Sequence, residues 1–356
     1  MKVKLGDLTK IRTGKLDANA SSPNGKYPFF TCSKEPLRIN SHSYDCECVL
    51  VAGNGDLNVK YYNGKFDAYQ RTYIIEDNGS NQLYMPYLYY FMEGYVEELR
   101  KLSIGGVIKY IKLGNLTEAL IELPKIEDQR TIVDILNKSK RILSYHQQQL
   151  QKLDELVKAR FVELFGSVDD NQKNIKTIRV GDACTLINGR AFKPDEWSTE
   201  GLPIVRIQNL NSEEAPFNYY SGEVKSQHLI NSGDLLFSWS GTPGTSFGAF
   251  FWRRGKAALN QHIFKVIPNC DYNLFFLQYA LNERLNFIIS RAHGGVGLQH
   301  ITKKELDEVL LFQPGINEQN DFATFVEQVD KSKVAVQKSL DEAQLLFDSL
   351  MQQYFG

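Results

Sequence analysis

The chain has 356 residues, 42% hydrophobic and 23% charged, with a net charge of −1 at pH 7. That is room for two or three ordinary domains with the balance of a soluble globular protein, and the near-neutral total gives no argument for a nucleic-acid partner. No run of about 18 apolar residues could span a membrane. The start, MKVKLGDLTK, lacks the apolar core of a signal peptide, and the odd set Cys32, Cys46, Cys48, Cys184 and Cys270 has no metal-ligand spacing, so a cytoplasmic protein with reduced thiols and no membrane partner is expected.

In chain order, residues 3–15 read VKLGDLTKIRTGK and lead to Tyr27-Pro28-Phe29-Phe30. The run from Cys48 to Ala52 is expected as a strand, followed by a glycine-rich turn over 53–65. Residues 68–76, AYQRTYIIE, are again strand-like, and Tyr84 to Leu102 has helical periodicity. A double-glycine loop, 103–116, then precedes a strand from Ala119 to Leu123. A residue before proline avoids the helical region, so the next helix starts after Pro124.

That helix, residues 127–166, contains no Pro, and no Gly before Gly166. Ile132, Leu136, Leu143, Leu150, Leu153, Val157 and Leu164 form one 4-then-3 stripe, the seam of a coiled coil. Lys138, Lys140, Arg141, Lys152, Lys158 and Arg160 rule out a membrane span. At ~1.5 Å per residue the helix is roughly 55 Å long. His146 and Ser139 are polar seam positions that can set register.

Residues 167–176, SVDDNQKNIK, read as a polar linker, after which the order repeats. Residues 178–190, IRVGDACTLINGR, match 3–15 at an offset of 175, pairing Gly6 with Gly181, Asp7 with Asp182, Gly14 with Gly189 and Lys15 with Arg190. Strands are expected from Asp234 to Ser238, Ala258 to Ile267 and Val309 to Phe312, with helical periodicity from Tyr272 to Arg291. At an offset of 190, Pro124 pairs with Pro314, Gln129 with Gln319, Phe165 with Phe355 and Gly166 with Gly356. The second long helix carries the stripe Phe322, Val326, Val329, Val336, Leu340, Ala343, Phe347, Leu350 and Tyr354. A period this long is a domain duplication rather than a solenoid.

The expected architecture is α/β (α+β): two tandemly duplicated globular halves with two long helices that form an antiparallel coiled coil. The boundaries are 1–126 for the first half, 127–166 for the first helix, 167–176 for the linker, 177–316 for the second half and 317–356 for the second helix. Residues 318–356 hold three basic and seven acidic side chains, a net of −4, whereas 127–166 holds seven and six. The second helix is a poor phosphate surface, and any partner beyond its twin is expected to be protein.

The order of these pieces resembles the specificity subunit of type I restriction-modification enzymes. The residues that carry it are GDLLFSWSGTPG (233–244), LNQHIFKV (259–266), GGVGLQHITKKEL (294–306) and LPKIEDQRTIVDIL (123–136), with its echo LFQPGINEQNDF (311–322). The first half departs most, with AGNGDLNVKYY in place of the Ser-Gly-Thr turn and GGVIKYIKL without the Gln-His pair. The resemblance implies a non-catalytic subunit with two target recognition domains, each reading one part of a split double-stranded DNA sequence. It also implies an antiparallel helix pair that docks two modification (adenine methyltransferase) subunits, which motor-nuclease restriction subunits can join. No cofactor is expected in this chain; S-adenosylmethionine, ATP and magnesium belong to partner subunits.

The loops agree in chemistry, because Asn and Gln can contact adenine, Arg and Lys guanine, and Ser or Thr either. The expected DNA-contacting residues in the second half are Arg206, Gln208, Asn209, Ser238, Trp239, Ser240, Thr242, Asn260, Gln261, His262, Gln299 and His300. In the first half they are Lys34, Asn54, Asn58, Lys60, Gln70, Arg71, Lys109, Tyr110 and Lys112. Each has a plain alternative as a solvated or turn-forming polar residue. Two other function classes remain at this point. Asp195 with Glu223 and Lys225 could hold magnesium for a stand-alone nuclease. A coiled-coil scaffold with sugar- or protein-binding heads is the other. No phosphate-binding loop and no adenine methyltransferase motif is present.

Overall fold

The computed structural model describes residues 2–212, 214–241, 247–295 and 298–356. The chain divides into two compact units, Met1–Leu150 with Ala335–Gly356, and Gln151–Val334.

The first unit opens with β1 (Lys2–Lys4), α1 (Leu5–Leu8) and β2 (Thr9–Thr13), followed by β3 (Tyr27–Phe30), β4 (Leu37–Ile39), β5 (Tyr44–Ala52), β6 (Val59–Ala68) and β7 (Thr72–Asp77). Then come α2 (Met85–Leu102), α3 (Leu113–Thr117), β8 (Leu120–Glu122) and α4 (Ile126–Phe165), which enters the second unit. Six strands form one sheet in the order β2-β7-β5-β6-β3-β4, and only the β3–β6 pair is parallel. The continuous apolar run at the end of β5 follows from burial on both faces. Val49 and Val51 point to α2, while Cys48 and Leu50 point to Phe30, Tyr44, Phe66 and Ile74.

The second unit repeats this plan. β9 (Thr177–Arg179), α5 (Val180–Ala183) and β10 (Cys184–Asn188) stand 175 residues after their counterparts. They are followed by β11 (Leu202–Val205), α6 (Ile207–Asn211), β12 (Asn218–Tyr220), β13 (Leu229–Ile230), β14 (Leu235–Ser238), β15 (Ser240–Gly241), β16 (Gly248–Phe251), β17 (Ala257–Leu259) and β18 (Ile263–Pro268). The unit continues with α7 (Leu274–Glu283), α8 (Leu285–Ser290), β19 (His293–Gly295), β20 (Leu298–His300), α9 (Lys303–Asp307), β21 (Leu310–Phe312) and α10 (Ile316–Phe355), which re-enters the first unit. Strand β21 pairs with β9 as β8 does with β1, and β18 lies between β10 and β14 as β7 does between β2 and β5. The parallel pair recurs as β11–β17. One sheet becomes two because the strand equivalent to β6 is interrupted between β16 and β17, where Gly255 takes φ 78°.

Gly14 and Gly189 mark the same crossing in both units. A side chain at Gly14 would be driven into the Ala68 carbonyl, and one at Gly189 into the Asn260 carbonyl, so only glycine fits.

The long helices are held by equivalent glutamines. Gln129 is fully buried; its Oε1 accepts from Tyr84 N (2.8 Å), and its Nε2 donates to the carbonyls of Gln82 (2.8 Å) and Pro124 (2.9 Å). Gln319 does the same with Asn273 N (2.9 Å) and the carbonyls of Asp271 (3.3 Å) and Pro314 (2.9 Å). In the second unit α4 and α10 run antiparallel: Lys333 pairs with Asp154 (2.6 Å), Arg160 lies over Phe325 and Phe161 meets Phe322 at 5.4 Å. In the first unit the end of α10 packs with α2, where Phe355 lies 5.0 Å from Tyr87, and Lys140 of α4 sits over Phe347.

Four expectations are corrected. The strand-like runs 68–76 and 258–267 each contain a turn, at Tyr69–Arg71 and Asn260–His262. The helical run 272–291 breaks at Arg284, whose guanidinium donates to Asp169 at 2.9 Å. Of the first seam, Leu136, Leu143 and Val157 are buried as expected, but Val133, Phe161 and Phe165 are buried beside them while Ile132 and Leu164 are only half-buried. The polar linker is tied down: Asn171 bonds both the N–H and the carbonyl of Ile175, and Val168 and Ile175 pack on the core.

Candidate nucleic-acid interface

Three loops meet at one edge of each unit, and the same backbone hydrogen bonds join them. In the first unit Gly53 N donates to the Arg71 carbonyl (2.8 Å), and Ile111 N to the Gly53 carbonyl (2.9 Å). In the second, Trp239 N donates to the His262 carbonyl (3.3 Å), and Ile301 N to the Trp239 carbonyl (3.1 Å). The bridge Asn54–Tyr110 has its counterpart in Ser240–His300. The frame therefore superposes Asn54 on Ser240, Gln70 on Gln261, Arg71 on His262, Lys109 on Gln299 and Tyr110 on His300. Lys109-Tyr110 stands where the second half has its Gln-His pair. One scaffold carries two different sets of polar side chains.

The first edge encloses a cleft of about 500 Å³ lined by Thr13, Lys15, Gln70, Arg71 and Tyr73. Gln70, Arg71, Lys109 and Lys112 are exposed, and Gln70 reaches Asp17 at 2.9 Å. Lys34 is also exposed, 4.0 Å from Asp56. Asn58 and Lys60 behave differently. Asn58 donates to the carbonyls of Cys32 and Asp56 (both 2.8 Å) and accepts from Lys60, whose ammonium pKa burial lowers. They hold the loop rather than face out.

The second edge has a smaller cleft, about 150 Å³, lined by Arg206, Gln208, Asn260 and His262. Burial, reinforced by the Arg206 charge, lowers the His262 pKa and keeps its ring neutral at pH 7, with one donor and one acceptor. Asn260 is buried, and among the described residues its Oδ1 has no protein donor, nor has the Gln299 Oε1. Unsatisfied buried acceptors are costly, which points to a donor supplied from outside. Arg206 lies over Trp197 and donates to Asn218 (3.3 Å), and Gln208 is exposed. Trp239 donates to Asn188 (3.4 Å), and Gln261 and His300 are exposed.

Asn209 and Ser238 are corrections. Asn209 is buried, accepts from Arg206 N and donates to the carbonyls of Ala215 (3.0 Å) and Pro216 (3.2 Å), so it closes a turn. Ser238 is fully buried against the Ser240 carbonyl. Ser240 is also buried, and its contribution is through the backbone bridge. Thr242 lies outside the described residues. Lys15 and Arg190 sit at the same edge and were not singled out, although the glycine-cation pair recurs in the sequence. Arg190 stacks between Phe192 and Tyr220 and pairs with Glu196.

Asp195 lies on the turn Pro194–Glu196, whose Glu196 is engaged by Arg190. Among the described residues, no group of three or more His, Cys, Asp or Glu side chains is placed to hold a metal ion. Among the same residues, no helix is long and apolar enough to cross a membrane.

The fold and its edges define a duplicated module: each unit presents three loops at one edge and contains part of both long helices. A family model for the type I restriction modification DNA specificity domain matches residues 1–155 and again 172–343. The type I restriction enzyme EcoDI specificity subunit of Escherichia coli is 38% identical, over 98% of this chain and 85% of its own length. A putative type I specificity subunit of Mycoplasma pneumoniae is 23% identical over 79% of this chain and 77% of its own. Among solved structures, the S subunit of a type I restriction-modification system from M. genitalium shares the fold with a TM-score of 0.61 at 16% identity, covering 100% of this chain and 96% of that one. The chain belongs to the type I restriction-modification specificity subunit family: a DNA-recognition subunit that carries no catalysis of its own.

Proposed function

We propose that each loop edge reads one part of a split duplex target, and that the long helices dock two adenine methyltransferase subunits. The observation that carries this reading is the shared loop frame with unlike side chains: Gln-Arg and Lys-Tyr at one edge stand where Gln-His and Gln-His stand at the other. A duplicated frame suits the local two-fold symmetry of duplex DNA, and the different side chains suit two unlike half-targets. The unpartnered acceptors of Asn260 and Gln299 match the exocyclic amino groups that adenine and cytosine present in the major groove. S-adenosylmethionine, ATP and magnesium act on the partner subunits, motor-nuclease subunits complete a restricting complex, and the assembly works in the cytoplasm.

The test compares specific with random duplex. Losing a base contact costs ~1–3 kcal/mol at one sequence position, whereas losing a phosphate contact weakens all sequences alike. Gln299→Ala and Arg206→Ala lower affinity for the specific duplex more than for random duplex, with thermal melting unchanged. Wild-type affinities for both duplexes would remove these residues from the interface.

A further inference from the structure

In the first unit, residues 104–110 form a short hairpin ribbon closed by the single bridge Ile104–Tyr110: Ile104 N donates to the Tyr110 carbonyl (3.0 Å) and Tyr110 N to the Ile104 carbonyl (2.9 Å). Gly105 turns it at φ 117°, where a side chain would run into the Ile108 carbonyl. The ribbon is fixed at its base, because Gly55 N donates to the Lys109 carbonyl (3.0 Å), Ile111 N to Gly53 and the Tyr73 hydroxyl to the Ile111 carbonyl (3.2 Å). At its tip Val107 is fully exposed and Ile108 largely so. Two adjacent branched apolar side chains thus stand in water on a rigid mount.

Their surroundings select the partner. From Leu99 to Thr117 there is no acidic residue. Lys101 is paired with Glu98 and Arg100 with Glu97 and Asp56, but among the described residues Lys109 and Lys112 meet no carboxylate. A bare apolar tip between free cations suits a polyanion that offers an apolar handle. The major groove of B-DNA, about 12 Å wide, admits a two-stranded ribbon, and its apolar feature is the thymine C5-methyl group.

We propose that the ribbon enters the major groove and that Val107 and Ile108 recognise the thymine methyl group. This rests on the DNA-reading function of the same edge and adds an apolar contact to its polar ones. The test begins with selection of the preferred duplex from a random library by the full chain. Thymines are then replaced one at a time by uracil, which removes only the methyl. One or two positions, confined to one half of the target, lose about fourfold in affinity each, the effect of one buried methyl. In Val107→Ser/Ile108→Ser that penalty disappears, while affinity for the uracil duplex equals that of wild type. Selection of a defined sequence with no uracil penalty, or a penalty that persists in the double variant, overturns the proposal and leaves the DNA reading standing. Failure to select any sequence overturns both. Binding to phosphatidylserine vesicles that the double variant abolishes would assign the tip to a lipid surface instead.

Discussion

Replacing Gln129 or Gln319 by leucine tests whether the duplicated glutamines brace each unit. The substitution keeps the volume and removes three hydrogen bonds, two to backbone carbonyls and one from a backbone N–H. At about 1 kcal/mol net per bond the loss is about 3 kcal/mol, and more where the backbone groups stay unsatisfied. On a unit of this size that lowers Tm by about 6–12 °C. Calorimetry measures the shift, and amide exchange places it: Gln129→Leu exposes the Tyr84 amide, Gln319→Leu the Asn273 amide. An unchanged Tm with both amides still protected would refute the bracing role.

The two units are expected to exchange as modules of specificity: replacing residues 178–312 by the segment of another family member changes one part of the recognised site, read by methylation mapping, and leaves the other. A change in both parts would contradict modularity. Charge reversal at Asp330, Asp341 and Asp348 together weakens co-purification with the methyltransferase subunit; single reversals of exposed charges have little effect. Acid acts on the capping box of α9. Hydrogen bonds from Thr302, with His293 at 2.6 Å, pull the Glu305 pKa down to about 2 from its ordinary 4.5. A depressed carboxylate stabilises the fold above its unfolded value and ceases to do so as pH falls through the folded one. Protection of the α9 amides therefore declines between pH 4.5 and about 2, and in Glu305→Gln that acid step is absent.

The duplication, the long helices and their proline-led starts are legible in the sequence because period and spacing are local properties. The turns at Tyr69–Arg71 and Asn260–His262 are not, since neither contains the Gly or Pro that announces a turn. The break at Arg284 is equally hidden, because residues 282–286 contain neither Gly nor Pro. Residue type showed that the edges are rich in base-reading groups, but not which way each side chain turns. Asn209 looks like Gln208 as a candidate, yet it is consumed by the Ala215 and Pro216 carbonyls. Lys109-Tyr110 shows no likeness to Gln299-His300, and only the shared backbone frame equates them.

The path of α10 has a consequence for biosynthesis. Phe347, Leu350, Met351 and Phe355 complete the core of the first unit, although the whole of the second unit precedes them in the chain. A ribosome that has finished residues 1–150 has made an incomplete body whose apolar α2 face, with Tyr87 and Phe91, still lacks its cover. The second unit is continuous from Gln151 to Val334 and can close as soon as it emerges. In order of sequence the second unit is thus completed before the first, the reverse of the usual N-to-C order. A released chain that ends at Val334 would carry a protease-resistant second unit and a protease-sensitive first one.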